Sequence, residues 1–146
     1  MSDFTIKLED DPSPDDLQII GRGLSEFNTQ NCGSDNYRQF AVFVRDAQNQ
    51  VVGGVYGEIV WDWLEIKIVW VKSDLRHLKF GTQLVKAAEQ AAARKGCRAA
   101  MLDTFSFQAL GFYQKLGYTI FGKLDNFPGT HTRYFLRKTL ANNESN

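Results

Sequence analysis

Two cysteines in 146 residues are too few for a disulfide framework. Cys32 and Cys97 read as packing residues of a reducing compartment, and a cytoplasmic setting is the default. Histidine is as scarce, with His77 and His131 alone, and neither has cysteine or histidine partners at zinc-ligand spacing, so no metal is expected. An excess of charge is missing too: 17 lysines and arginines meet 17 aspartates and glutamates. That balance removes the electrostatic footprint of a general nucleic-acid or membrane-surface binder. No apolar run approaches the ~20 residues that cross a bilayer. The opening "MSDFTIKLEDD" lacks the apolar core of a signal peptide. The phosphate-loop pattern G-x-x-x-x-G-K-[ST] and the dinucleotide pattern G-x-G-x-x-G are both absent, which speaks against nucleoside triphosphates and dinucleotides.

What is there is an ordinary globular composition, 43% hydrophobic and 23% charged, in a length that suits one domain with a real core. Phe4 to Leu8 alternates and predicts a short strand. "EDDPSPDD" breaks it and announces a helix, whose apolar face is Leu17, Ile20, Leu24 and Phe27. Residues 28–36 read as a polar loop. "RQFAVFVRD", "VVGGVYGEIVW" and "WLEIKIVWV" predict three strands of an antiparallel meander. A helix over 80–96 follows, with Phe80, Leu84, Val85 and Ala88 on one face and Gly96 just past its end. "RAAMLDTF" is a buried strand, "QALGFYQKLG" a short helix, and "YTIFGKL" and "HTRYFLRKTL" are two more strands. The expectation is one α/β domain over residues 1–140: a mixed sheet of about seven strands with helices on both faces. Residues 141–146 read as a frayed tail.

The chemistry concentrates at "VWVKSDLRHLKFGTQLVKAAEQAAARKGC", residues 69–97. A turn from a strand into a helix offers unpartnered N–H groups and the positive end of a dipole, so it can hold an anion. Arg76 and Lys79 would add charge and Thr82 a hydroxyl, while Gly81 would let a ligand approach the backbone. This segment, with "MLDTFSFQALGFYQKLGY" after it, resembles the GNAT superfamily of N-acetyltransferases. Arg76 to Gly81 overlays that family's acyl-CoA loop, [QR]-x-x-G-x-[GA], and Ala109 to Tyr118 overlays its A-x-x-F-Y-x-K-x-G-[FY] helix. One departure stands out, because the family has glycine where this chain has Lys79.

The resemblance implies an acyl-CoA-dependent N-acyltransferase, moving acetyl from acetyl-CoA to a primary amine of a small molecule or peptide in a ternary complex. It implies that His77, Leu78, Lys79, Phe80, Gly81 and Thr82, beside Arg76, surround the pyrophosphate. It also implies that Val69 and Val71 pair through their backbones with the pantetheine arm. Tyr113 matches the family's general acid, and a phenol of pKa about 10 suits an alkyl thiolate leaving group. Glu65 is the candidate base, Glu58 and Asp103 are weaker candidates, and a water-mediated route is open. Trp61, Trp63 and Trp70, clustered around the second hairpin, either wall the acceptor site or belong to the core or an interface. His131 borders the loop "DNFPGT" and could face the same pocket. The alternative is a non-catalytic CoA-binding or partner-binding module of the same fold, and a homodimer is open.

Overall fold

The computed structural model describes residues 3–140, and the chain divides into two units between Asp35 and Asn36. The first unit is one helix, α1 (Pro14–Cys32), behind an irregular lead. The Ser13 side chain accepts the Asp16 N–H at 3.1 Å, Pro14 opens the first turn, and Asp15 and Asp16 sit at the positive end of the dipole. The helix runs four residues beyond the expected loop start. Asn28 and Asn31 do not stop it, and Asn31 folds its amide back to the Phe27 carbonyl at 2.9 Å. It ends at Gly33, which takes φ 75°. Phe4 to Leu8 is not a strand. Strands exist by pairing, and this segment has no ladder partner among the described residues, where its alternating apolar side chains are exposed.

The second unit is a six-stranded mixed sheet, one strand fewer than expected, in the order β1-β2-β3-β4-β6-β5. The strands are β1 (Arg38–Arg45), β2 (Val51–Val60), β3 (Trp63–Val71), β4 (Ala99–Phe105), β5 (Thr119–Leu124) and β6 (Arg133–Thr139). The first three form the antiparallel meander. Then α2 (Phe80–Arg94) crosses over and returns the chain parallel to β3 as β4. Leu84, Val85, Ala88 and Ala92 are the buried face of α2, and the alanines let its backbone lie close to the sheet. They meet Val55, Ile59, Leu64, Leu102 and Leu136 in one core. Gly96 ends the helix segment at φ 94°, as its position in the sequence requires. A short helix, α3 (Leu110–Lys115), adds Tyr113 to the same core. Tyr118 closes it by donating to buried Glu89 at 2.7 Å, while Lys138 reaches the other Glu89 oxygen at 2.8 Å.

Two features of β3 open the site. Its register against β2 shifts at Tyr56/Gly57, so that Lys67 has no partner and forms a bulge. The bulge resets the alternation: Leu64 and Ile66 face the core before it, and Val69 and Val71 after it. In addition, β3 and β4 pair only over Trp63–Glu65 and Ala99–Met101. Beyond that point each strand runs on without the other, and a cleft opens between them.

Candidate active site

The cleft is about 670 Å³, and Val69, Trp70 and Val71 form one wall while Asp103, Phe107 and Tyr113 line the other side. A hollow of about 400 Å³ continues it past Val71 to Arg76, Lys79, Gly81 and Thr82. The free edge of β3 is readable from the ladder. The Lys72 N–H donates to the Val52 carbonyl at 2.9 Å. Counting back by twos, Trp70 and Ile68 also direct their main chain at β2. Val69 and Val71 therefore turn theirs toward the side that β4 has left. One of those acceptors is taken, since Arg76 Nε donates to the Val71 carbonyl at 3.0 Å.

A 3₁₀ turn, Ser73–Leu78, leads to α2. Lys79 joins the two at φ 63°, ψ 25°, in the left-handed region. This is the position where the resembling family carries glycine, and the backbone there has the conformation that glycine favours. No side chain caps α2, so its first N–H groups are left for a ligand or water. Gly81 sits inside the first turn, and a Cβ on it would lie 3.3 Å from the Phe112 ring. Of the other loop residues, Phe80 packs on the core and Leu78 is exposed. His77 is exposed and does not line the hollow.

Tyr113 is 9% exposed and makes ring contacts with Phe112 and Tyr118. Its hydroxyl has no protein partner, and no buried side-chain polar atom among the described residues is left without one. The oxygen must therefore open onto the cleft that Tyr113 lines. Burial, and then the charge of Asp103, pushes the phenol up to about 12. The turn between β4 and α3 that presents it is built by Gln108, whose Oε1 accepts from the Phe105 N–H at 2.9 Å and the Thr104 hydroxyl at 3.3 Å.

The carboxylates separate into two groups. Glu65 and Glu58 face each other across β3 and β2 and share Lys67, at 3.3 and 3.9 Å. Tyr56 donates to Glu58 at 2.8 Å, which holds the Glu58 carboxyl below its usual range. Neither glutamate lines the cleft, although Lys67 does. Asp103 lies in the cleft itself and is bound by Arg133 Nε at 2.8 Å. Trp61 and Trp63 lie together at the β2–β3 turn, but Trp70 stands apart from them. Trp63 begins β3 and Trp70 nearly ends it, about 20 Å apart at strand rise. Only Trp70 reaches the cleft. A separate hollow of about 550 Å³ near Trp63, Arg98 and Arg137 lies at the opposite strand ends and shares no lining residue with the cleft. Sequence reasoning gave no weight to Phe107, which is exposed at the cleft rim, and His131 acts on it, with ring centroids 4.8 Å apart.

The acetyltransferase (GNAT) family profile matches residues 5–118. The chain belongs to that family. Among its relatives is the blasticidin-S acetyltransferase of Streptomyces morookaense, 31% identical over 102 residues, which are 69% of this chain and 75% of that one. An acetyltransferase from Bacillus cereus ATCC 14579 has been solved, is 30% identical, and superposes with a TM-score of 0.84 over 92% of this chain and 98% of its own. An aminoglycoside 6'-N-acetyltransferase solved with coenzyme A shares the fold, at 21% identity and a TM-score of 0.64 over 94% of this chain and 98% of that one. The chain is thus an acetyltransferase of the GNAT family. Among the described residues no helix is long and apolar enough to cross a membrane, and no group of three or more metal-ligating side chains gathers.

Proposed function

We propose that this acetyltransferase moves acetyl from acetyl-CoA directly to a primary amine of a small molecule. One observation carries the reading. The free main-chain edge of β3, the uncapped start of α2 and the Tyr113 hydroxyl all open on one continuous hollow. The solved aminoglycoside acetyltransferase with coenzyme A supports the choice of donor, and the relative named for blasticidin S supports a small acceptor.

In this reading Val69 and Val71 add the amide-bearing pantetheine arm to β3 as a further strand. The N–H groups of residues 78–82 hold the pyrophosphate, with Arg76 and Lys79 as supporting charges. The amine nitrogen attacks the thioester carbonyl carbon, and the oxyanion is met by a main-chain N–H near Val69. When the C–S bond breaks, Tyr113 gives its proton to the departing thiolate. The proton that the amine must lose passes by water toward Glu65, which touches the cleft through Lys67. No cysteine relay is needed, and burial pushes the Cys97 thiol up, away from the thiolate form.

A thiol-release assay tests the proposal. Acetyl-CoA with a panel of primary amines should release CoA well above the amine-free rate for at least one of them. CoA binding with a flat baseline for every amine would refute it.

A further inference from the structure

Asp103 and Phe107 are not needed by the steps above, yet both face the cleft in which those steps would occur. Resting on that reading, we infer that they recognise the acceptor: Asp103 anchors its ammonium group, and Phe107 with Trp70 seats a flat aromatic or heteroaromatic body beside it.

The anchor is held rigidly. Arg133 Nε binds one Asp103 oxygen, Oδ2, at 2.8 Å, and both side chains are about 30% exposed. The guanidinium cannot easily swing away, because it also lies over the rings of Phe105, Phe127 and Phe135 at 5.4, 5.2 and 5.0 Å. Asp103 Oδ1 has no protein donor among the described residues, which leaves it for a ligand. The carboxylate's charge is felt inside the cleft despite its partner, since it contributes to raising the Tyr113 phenol. The other charged groups of the cleft are cations with their own engagements. Lys67 holds the two glutamates, and Arg76 binds the Val71 carbonyl.

The Phe107 side of the seat is fixed as well. Phe107 is 55% exposed and Trp70 is 49% exposed, one on each of the diverging walls. Phe107 stacks on Phe105 with centroids 5.5 Å apart and 14° between planes, and His131 braces its edge. The Ser106 hydroxyl and His131 Nδ1 lie 3.3 Å apart, which ties the histidine to the same turn. Two large rings left bare in a cleft, one of them braced, suit a flat apolar partner.

The test uses the full chain saturated with CoA, so that no acetyl transfer intervenes. Phenylethylamine and butylamine are titrated against it, with tryptophan fluorescence or calorimetry as the readout. Phenylethylamine should bind about tenfold or more tighter than butylamine. Phe107→Ala should abolish that preference and leave butylamine unchanged. Asp103→Asn, which can still accept from Arg133, should weaken both amines about tenfold or more. Equal affinity of the two amines for the wild-type protein, or a folded Asp103→Asn protein with wild-type affinities, overturns the inference. Phe107 is exposed, so its variant decides the aromatic seat even if Asp103→Asn fails to fold. The two readings also fail separately. Amine binding that depends on Asp103 and Phe107, on a protein that acetylates no amine, would sink the transfer reading and sustain this site. Acetylation of amines without preference for phenylethylamine, unaffected by Phe107→Ala, would do the reverse.

Discussion

Replacing Lys79 by glycine and, separately, by alanine divides what this residue does into a backbone part and a charge part. Its φ of 63° and ψ of 25° crowd the Cβ of an L-residue, at a cost of about 1–2 kcal/mol. Alanine keeps that Cβ and glycine removes it. Glycine also gives the unfolded chain more freedom, which takes back about 0.4–1 kcal/mol. Lys79→Gly should therefore be more stable than Lys79→Ala by about 0.5–1 kcal/mol. For a chain of this size that is roughly 1–4 °C in Tm. Urea unfolding of the ligand-free proteins reads this difference. The conformational strain is present with and without ligand, so it cancels from the affinity. Calorimetric titration with CoA then reads the charge alone. Loss of one charge-assisted contact to phosphate is worth about 1.5–3 kcal/mol, so both variants should bind CoA at least about tenfold more weakly, and to the same extent. A glycine variant less stable than the alanine variant would refute the strain argument. Wild-type CoA affinity in both would refute the phosphate contact.

Tyr113→Phe should lower kcat by about 10²–10⁴-fold with little change in the KM for acetyl-CoA, because the ring stays packed and only the acid is lost. Steady-state kinetics with the best amine of the panel checks this, and an unchanged kcat would remove Tyr113 from the acid role. The folded phenol is raised to about 12, so the protonated form is favoured by folding; that stability is fully present below the unfolded value of 10 and is lost as pH rises through about 12. The kcat/KM profile should accordingly rise as the amine deprotonates and show no alkaline fall below roughly pH 11; a falling limb at pH 8–9.5 would count against Tyr113. Glu89→Leu removes the acceptor of both Tyr118 and Lys138 in the core and should cost about 3 kcal/mol, the low end for breaking a buried pair because Lys138 is 26% exposed on its side chain. Urea midpoints decide it, and a loss under about 1 kcal/mol would mean that Tyr118 and Lys138 find other partners.

Most of the framework is legible in local pattern. "WLEIKIVWV" becomes β3 over the expected residues, and Gly96 and Gly117 take the positive φ that their places after helices demand. What escapes the eye is set by distant partners. Phe4 to Leu8 alternates like a strand, but alternation cannot supply a neighbouring strand to pair with. The bulge at Lys67 is hidden because Ile68, Val69, Trp70 and Val71 are all apolar, so a reset of alternation leaves no trace in the sequence. Without the bulge, Trp70 and Leu64 would share a face; with it, Leu64 is buried and Trp70 looks into the cleft. The partner of Glu65 is set by the same local geometry: Lys67, at the bulge, pairs with it at the half-exposed surface.

The two halves of the cleft differ in how sequence can encode them. In the proposed reading the donor half is main chain: the edge of β3 and the start of α2 offer N–H and C=O groups whatever side chains they carry. That is why Lys79 can stand where the resembling family has glycine without erasing the hollow, and why motif spacing there survives substitution. The inferred acceptor half is side chain. There Asp103 and Phe107 would act through a carboxylate oxygen and a ring face, and single substitutions change both at will. Nothing in "MLDTFSFQ" sets Phe107 apart from its neighbours, and Asp103 reads there only as a weaker candidate base, until the parting of β3 and β4 turns both toward a common space. Acceptor choice in this chain should therefore follow residues 103 and 107, with the donor site left as it is. Phe107 variants should redistribute rates among amines, and Asp103 variants should lower them together, while the KM for acetyl-CoA holds steady in both; a rise in that KM would mean that the two halves are not separable.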